Sequence, residues 1–211
     1  MNIDDFREEQ LQTSRKVLVR DDFKKIELVA GCDQAFKGKK VISAIVVCTK
    51  DLKVVDEQYA TVETDLPYLP GFRYYREGPA IAAAFAKLKK APDVMIMSAN
   101  GILHPLRMGL ASQVGIALNV PTIGIAKTLL CGNVEEGKVY LNNEVRGQEI
   151  KTREHSKPLY VSAGHRISLE TSLELIKEIT KYPHKLPEPL HLAHRLAKKA
   201  LSELYSSEKG L

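Results

Sequence analysis

Asp33 interrupts the otherwise apolar run VAGCDQAF. An ionised carboxylate there is costly to desolvate unless it is paired or bound to a cation, which makes Asp33 the first candidate ligand. The structural alternative is an aspartate at a frayed strand end, bonded to backbone amides. Glu77 stands just before Gly78-Pro79, where a helix is expected to start, and a carboxylate there favours the helix through its dipole without any catalytic role. Two or three carboxylates at neighbouring element ends would suit magnesium, a hard, oxygen-preferring ion that in nucleases polarises phosphate, activates water and neutralises the leaving oxygen. Spacing alone does not bring Asp33 and Glu77 together.

Other residues add weaker signals. Lys127 ends the apolar run TIGIAK, where an ammonium can meet a phosphate or simply close a strand at the solvent. His104, just before Pro105, caps a helix as readily as it touches a phosphate. At helical spacing His194 shares a face with Leu190, Ala197 and Leu201, which makes it either a core histidine or a site histidine. In Pro67-Tyr68-Leu69-Pro70-Gly71 the prolines restrict the backbone, so Tyr68 is held ready to stack on or wedge between bases, or else packs the loop onto the domain.

The elements that must position these groups follow from periodicity. Residues 4–18 have helical character, with Leu11, Ser14 and Val17 on one face. ELVAGCDQAF, KVISAIVVCT and KVVDEQYATVE then read as three strands of an antiparallel meander, the first two joined through Phe36-Lys37-Gly38-Lys39. DLPYLPGFRYYREGP, dense in aromatics for a chain only 6% aromatic, reads as a loop that presents side chains. Pro79 suits a first helical position, with Ile81, Ala84, Phe85 and Leu88 on the buried face. DVMIMS as a strand, Pro105 to Leu118 as a helix and PTIGIAK as a strand give the alternation of parallel β-α-β units. Strands at VYLN, EVRG and PLYVSAGH follow, and helices near 168–180 and 188–206 close the chain. The result is an α/β architecture with a mixed sheet and helices on both faces, as in ribonuclease-H-like proteins.

Composition is compatible with one domain spanning residues 1–211, since a chain of 211 residues that is 44% hydrophobic can bury one substantial core. No apolar run reaches the ~18 residues of a membrane span, and Met1 to Arg15 is polar and charged, so a cytoplasmic protein is expected. Three widely separated cysteines, Cys32, Cys48 and Cys131, point to neither a disulfide framework nor a zinc site. Residues 146–199 hold eleven Lys/Arg against six Asp/Glu, which accounts for the whole net charge of +5 and permits a phosphate-rich partner or a solvated basic surface.

Taken in order, the segments AGCDQAF, PYLPGFRYYREGP, NGILHPLRMGLAS, VPTIGIAKTLLCG, VSAGH and PEPLHLAH resemble the endonuclease V family from about residue 28 to about residue 200. The resemblance implies a ribonuclease-H-like fold and cleavage of the second phosphodiester bond 3′ to deoxyinosine with magnesium, for which manganese can substitute. It places Asp33 and Glu77 in an acidic metal site, gives Lys127 and His194 supporting catalytic roles, and puts Pro67, Tyr68, Pro70 and Gly71 in a strand-separating wedge. Gly71, Gly109 and Leu130 would line a pocket for a flipped hypoxanthine, flipping being required because a stacked base cannot be enclosed. His104 and Arg107 are expected to contact backbone or site rather than read the base. The implied partner is inosine-containing DNA, with RNA open because the distinction rests on 2′-hydroxyl contacts, and the protein is expected to be monomeric. One departure matters. Where the family has Asp-Gly before NGILHP, this chain has Ser98-Ala99, so a neutral hydroxyl stands at a primary metal-ligand position. The implication is either impaired cutting or a homologue that binds inosine without cutting.

Overall fold

The meander forms as expected from the three β-rich runs. In the computed structural model, which describes residues 2–209, β1 (Leu28–Lys37) pairs antiparallel with β2 (Lys40–Thr49), and β2 with β3 (Val54–Glu63). Met1, Gly210 and Leu211 of the expected 1–211 unit lie outside the described residues. On its other side β1 runs parallel to β4 (Val94–Met97), and β4 parallel to β5 (Thr122–Ala126). Three antiparallel ribbons, β6 (Asn133–Glu135), β7 (Lys138–Leu141) and β8 (Glu144–Ile150), extend the sheet through β9 (Leu159–His165), which pairs with β5. The nine strands stand in the order β3-β2-β1-β4-β5-β9-β8-β7-β6.

Alternation along β1 sorts the two faces. Ala30 and Cys32 pack with Met95, Met97, Ile81 and Val114 under α2 (Arg73–Phe85) and α3 (Leu110–Leu118). Val29, on the opposite face, joins Ile96, Ile123, Val161 and Ile176 under α4 (Leu169–Ile179), and Leu190 brings in α5 (Glu188–Lys209). Asp33 therefore shares the α5 face with Val29 and Gly31. Ser168 caps α4 by accepting from the Thr171 amide at 3.1 Å. Among the described residues no helix is long and apolar enough to cross a membrane.

Several boundaries differ from those read off the sequence. The first helix, α1 (Ile3–Ser14), ends before residue 18, and it buries Phe6 and Gln10 rather than the Leu11, Ser14, Val17 face. Phe6 stacks on Tyr75 at 3.8 Å between ring centroids, which fixes α1 against α2. The helix expected to start at Pro79 starts at Arg73, with Pro79 inside it. Proline there forfeits one helical hydrogen bond, and the packing of Tyr74 and Tyr75, with the Arg73–Glu77 pair one turn apart, outweighs that local penalty. The helix expected from Pro105 begins only at Leu110, because Arg107 adopts φ +56°, outside helical space.

Gly31 lets α5 approach β1 closely. A Cβ built there would stand 2.1 Å from the Pro189 carbonyl oxygen. Gly31→Ala must therefore push α5 off the sheet, and it is expected to lower stability by about 1–3 kcal/mol in chemical denaturation. Wild-type stability in that variant would show that the close approach is not needed.

Candidate active site and base pocket

The carboxyl ends of parallel strands are where side chains can converge at a crevice. Cys32 of β1 pairs with Met97 of β4, so Asp33 and Ser98 are the next residues out on adjoining strands, and the Ser98 amide donates to the Cys32 carbonyl at 3.2 Å. Helix α5 crosses above and brings His194 to this point, where its Nδ1–H donates to Asp33 Oδ2 at 2.6 Å. The histidine is held by the carboxylate and keeps Nε2 free for a second partner. His194 thus sits at the edge of the core, with its side chain 31% exposed.

Glu77 lies on α2 and is fully buried. An isolated carboxylate there would be prohibitive, and Arg73 answers it from one turn earlier. Its Nε and Nη2 donate to the two oxygens of Glu77, each at 2.8 Å, while Nη1 donates to the Ser98 carbonyl at 3.2 Å. Burial alone would pull the Arg73 guanidinium down, but the hydrogen bonds and charge of Glu77 raise it above its ordinary value. One guanidinium therefore ties α2 to the end of β4.

Beside this corner lies a cavity of about 260 Å³. Its lining includes Tyr68, Pro70 and Gly71 from the proline-rich loop, Ser98, Asn100, His104 and Gly109 from the segment after β4, and Lys127, Thr128 and Leu130 from the segment after β5. The loop that carries Tyr68 is pinned at Gly71, whose φ of +82° suits glycine. The Gly71 carbonyl accepts from Gln10 Nε2 at 2.8 Å and from His104 Nε2 at 3.1 Å. Because His104 Nδ1 accepts the Leu106 amide at 3.2 Å, the imidazole carries its proton on Nε2 and is neutral. Burial pushes His104 down to about 4 against the opposing hydrogen bond to Gly71. Tyr68 is left 60% exposed at the mouth. Lys127 leaves the end of β5 into a positive field that it shares with Arg153, Lys157 and Lys185, and desolvation together with these cations lowers the Lys185 ammonium.

The structure thus gathers Tyr68, Pro70, Gly71, Ser98, His104, Gly109, Lys127 and Leu130 around one cavity, with the Asp33–His194 pair and Glu77 at the adjoining strand ends. Pro67 is exposed and does not line the cavity. Arg107 turns away from it to an ion pair with Glu144, which also accepts from Arg146. His104, read as a possible helix cap, instead holds the wedge loop. Sequence reasoning missed Arg73 and Asn100. The signal for Arg73 was its i,i+4 spacing to Glu77, hidden when the segment was read as a loop up to Pro79.

The donors do not fit a divalent ion as folded. Both Glu77 oxygens are taken by Arg73, one Asp33 oxygen is taken by His194, and Ser98 brings no charge. Hard dications favour several anionic oxygens, and here the nearest cation competes for them. Among the described residues no three His, Cys, Asp or Glu side chains converge as a metal site requires.

Comparison with known proteins accounts for the arrangement. The family model described as Endonuclease V matches residues 11–195. Endonuclease V of Dictyoglomus turgidum is 39% identical over 94% of this chain and 91% of its own, and that of Thermofilum pendens 40% identical over 90% and 85%. Among solved structures, endonuclease V from Bacillus subtilis superposes with a TM-score of 0.88 at 28% identity, covering 99% of this chain and 95% of its own. Ciona intestinalis endonuclease V in complex with a 23mer DNA containing an inosine followed by a ribo-adenosine gives 0.87 at 27% identity, covering 96% and 98%. The mixed sheet with helices on both faces is the ribonuclease-H-like fold of these structures.

The neutral His104 makes stability depend on pH. Its folded pKa lies below the ordinary histidine value of 6.5, so the unfolded chain binds the proton first and stability falls as pH drops from 6.5 towards about 4. Each unit in that window costs about 1.4 kcal/mol. Urea denaturation at pH 7.5 and pH 5 is expected to show a loss of about 2 kcal/mol in the wild type that shrinks in His104→Asn. An equal loss in both proteins would show that the imidazole is not the group responsible.

Proposed function

The chain belongs to the endonuclease V family of nucleases, and on that premise we propose that it is an inosine-directed repair protein whose recognition half is complete and whose cutting half is impaired. The observation that carries this reading is the cavity beside the strand ends. It is bordered by a rigidly anchored, exposed tyrosine and by backbone-rich glycine turns, and it adjoins the Asp33–His194 pair. A purine flipped out of the stack enters the cavity, Tyr68 fills or props the space it leaves, and the backbone around Gly71 and Gly109 reads its edge. Inosine-containing DNA is the substrate class, with RNA engaged by the same pocket where the 2′-hydroxyl is tolerated. Pro67 and Pro70 stiffen the loop that carries Tyr68, His104 and Leu130 support the pocket walls, Arg107 meets the nucleic-acid backbone from outside the cavity, and the cations around Lys127 hold the backbone beyond them.

In this reading the second phosphodiester bond 3′ to the lesion lies over the strand ends. His194, oriented by Asp33, positions a water and takes its proton at Nε2 as the water oxygen bonds phosphorus and the P–O3′ bond breaks, the departing 3′ oxygen taking a proton from solvent, while Lys127 offsets charge on the phosphate. Magnesium or manganese, held in the family reading by Asp33 and Glu77, would supply Lewis-acid charge. The donors of this chain do not support that ion as folded. A second reading, inosine binding without cutting, is favoured by Ser98 and by the engagement of Glu77 with Arg73.

An end-labelled inosine oligonucleotide incubated with magnesium or manganese tests the proposal. The wild type is expected to cleave at least about 100-fold more slowly than Ser98→Asp, the loss of one charge-stabilising group. Inosine strands should bind more tightly than adenosine strands at equal salt, and Tyr68→Ala should weaken inosine binding by about 10-fold. Equal affinity for the two strands would remove the recognition claim. Absence of cleavage by Ser98→Asp, with inosine preference intact, would select binding without cutting.

A further inference from the structure

The strand-end corner already contains a cation, and it is part of the chain. We infer that Arg73 is the resident cation of this site: its guanidinium takes the place of a divalent metal between Glu77 and the end of β4 and offers its remaining N–H groups to a substrate phosphate. The phosphate part rests on the inosine-directed reading above, and the metal part does not.

Three facts combine. First, Arg73 grips both oxygens of the fully buried Glu77 in parallel 2.8 Å bonds, the bidentate geometry in which arginine binds carboxylate most strongly. A metal reaching Glu77 must first break this pair and leave a desolvated guanidinium beside it. Second, Nη1 spans to the Ser98 carbonyl, so the same group that neutralises Glu77 also braces the position where the charge is missing. The two carboxylates and one guanidinium leave a single net negative charge, too little to hold a hard dication well, and Ser98 adds none. Third, guanidinium has five N–H donors. The bonds to Glu77 and Ser98 use three, and Arg73 borders the same cavity as Lys127, so the two left over are available to an anion there.

The chemistry selected is a phosphodiester oxygen held by Arg73 and Lys127 without a bridging metal. Substrate engagement is then indifferent to chelator, unlike binding built on a metal bridge. Ser98 and Arg73 act together, since the hydroxyl brings no negative charge to the corner and the guanidinium brings a fixed positive one. Ser98→Asp alone adds back anionic charge, and a metal site in full also requires freeing Glu77 from Arg73.

The experiment uses the full chain and manganese alone, followed by an inosine oligonucleotide. Millimolar Mn2+ is expected to move the wild-type Tm by less than about 1 °C, whereas the double variant Arg73→Leu with Ser98→Asp should gain a rise of several degrees that adding Asp33→Asn removes. Wild-type affinity for the inosine strand should change by less than about twofold between EDTA and Mn2+, and Arg73→Lys, which keeps the charge and loses the fork, should weaken it by about tenfold. A wild-type Mn2+ stabilisation that Glu77→Gln abolishes would overturn the inference, as would an inosine affinity that collapses in EDTA. If the double variant does not fold, these wild-type measurements decide alone. Equal binding of inosine and adenosine strands would sink the base-pocket reading and leave the manganese result standing.

Discussion

Parallel pairing of β1, β4 and β5 is the constraint on which the site depends. Strands running in one direction end along one edge, and the register of Cys32 with Met97 and of Met97 with Gly124 sets Asp33, Ser98 and the approach to Lys127 along that edge. The helices complete the site from opposite faces. Helix α2 brings Glu77 from one side, and α5, seated against the bare backbone at Gly31, brings His194 from the other. A one-residue slip of β1 would turn Asp33 to the wrong face, since side chains alternate along a strand.

Charge is the second organising force. A fully buried glutamate cannot remain alone, and Arg73 provides its counter-charge locally, one helical turn away. That solution is independent of any bound ion, so the corner is self-consistent without one. The neighbouring cavity is organised differently, by neutral donors. Gln10 from α1 and the uncharged His104 both donate to one carbonyl, at Gly71, so the loop bearing Tyr68 is anchored at its base while the tyrosine stays exposed. A rigid base with an exposed tip is the mechanical requirement for an aromatic that inserts between bases.

The cavity and the strand-end corner are held together in different ways. Gly71, Gly109 and Leu130 all border the cavity. The acidic corner holds Asp33 against His194 and Glu77 against Arg73, and Ser98 adds no charge there. Such a division is chemically coherent, because enclosing a base relies on shape and hydrogen bonds, whereas cleaving a phosphodiester relies on concentrated charge.

Much of this was legible in the order of residues. Period-two runs marked the meander, alternating β and α patterns marked the parallel centre, and a carboxylate inside VAGCDQAF was conspicuous because burial makes it costly. The replacement at Ser98 could be read only from the sequence, by comparison with the family pattern. What the sequence did not determine were features in which distant packing overrides a local preference. Pro79 and Pro105 looked like helix starts, yet stacking of Phe6 on Tyr75 carries α2 back to Arg73, and the left-handed Arg107 delays α3 to Leu110. Because Arg73 joins the helix only through that tertiary packing, its hold on Glu77 was decided by the folded structure, as were the partnership of His194 with Asp33 across 161 residues and the role of His104 at Gly71. Local patterns report what a segment prefers, and only the assembled sheet and its helices report which charges must answer one another.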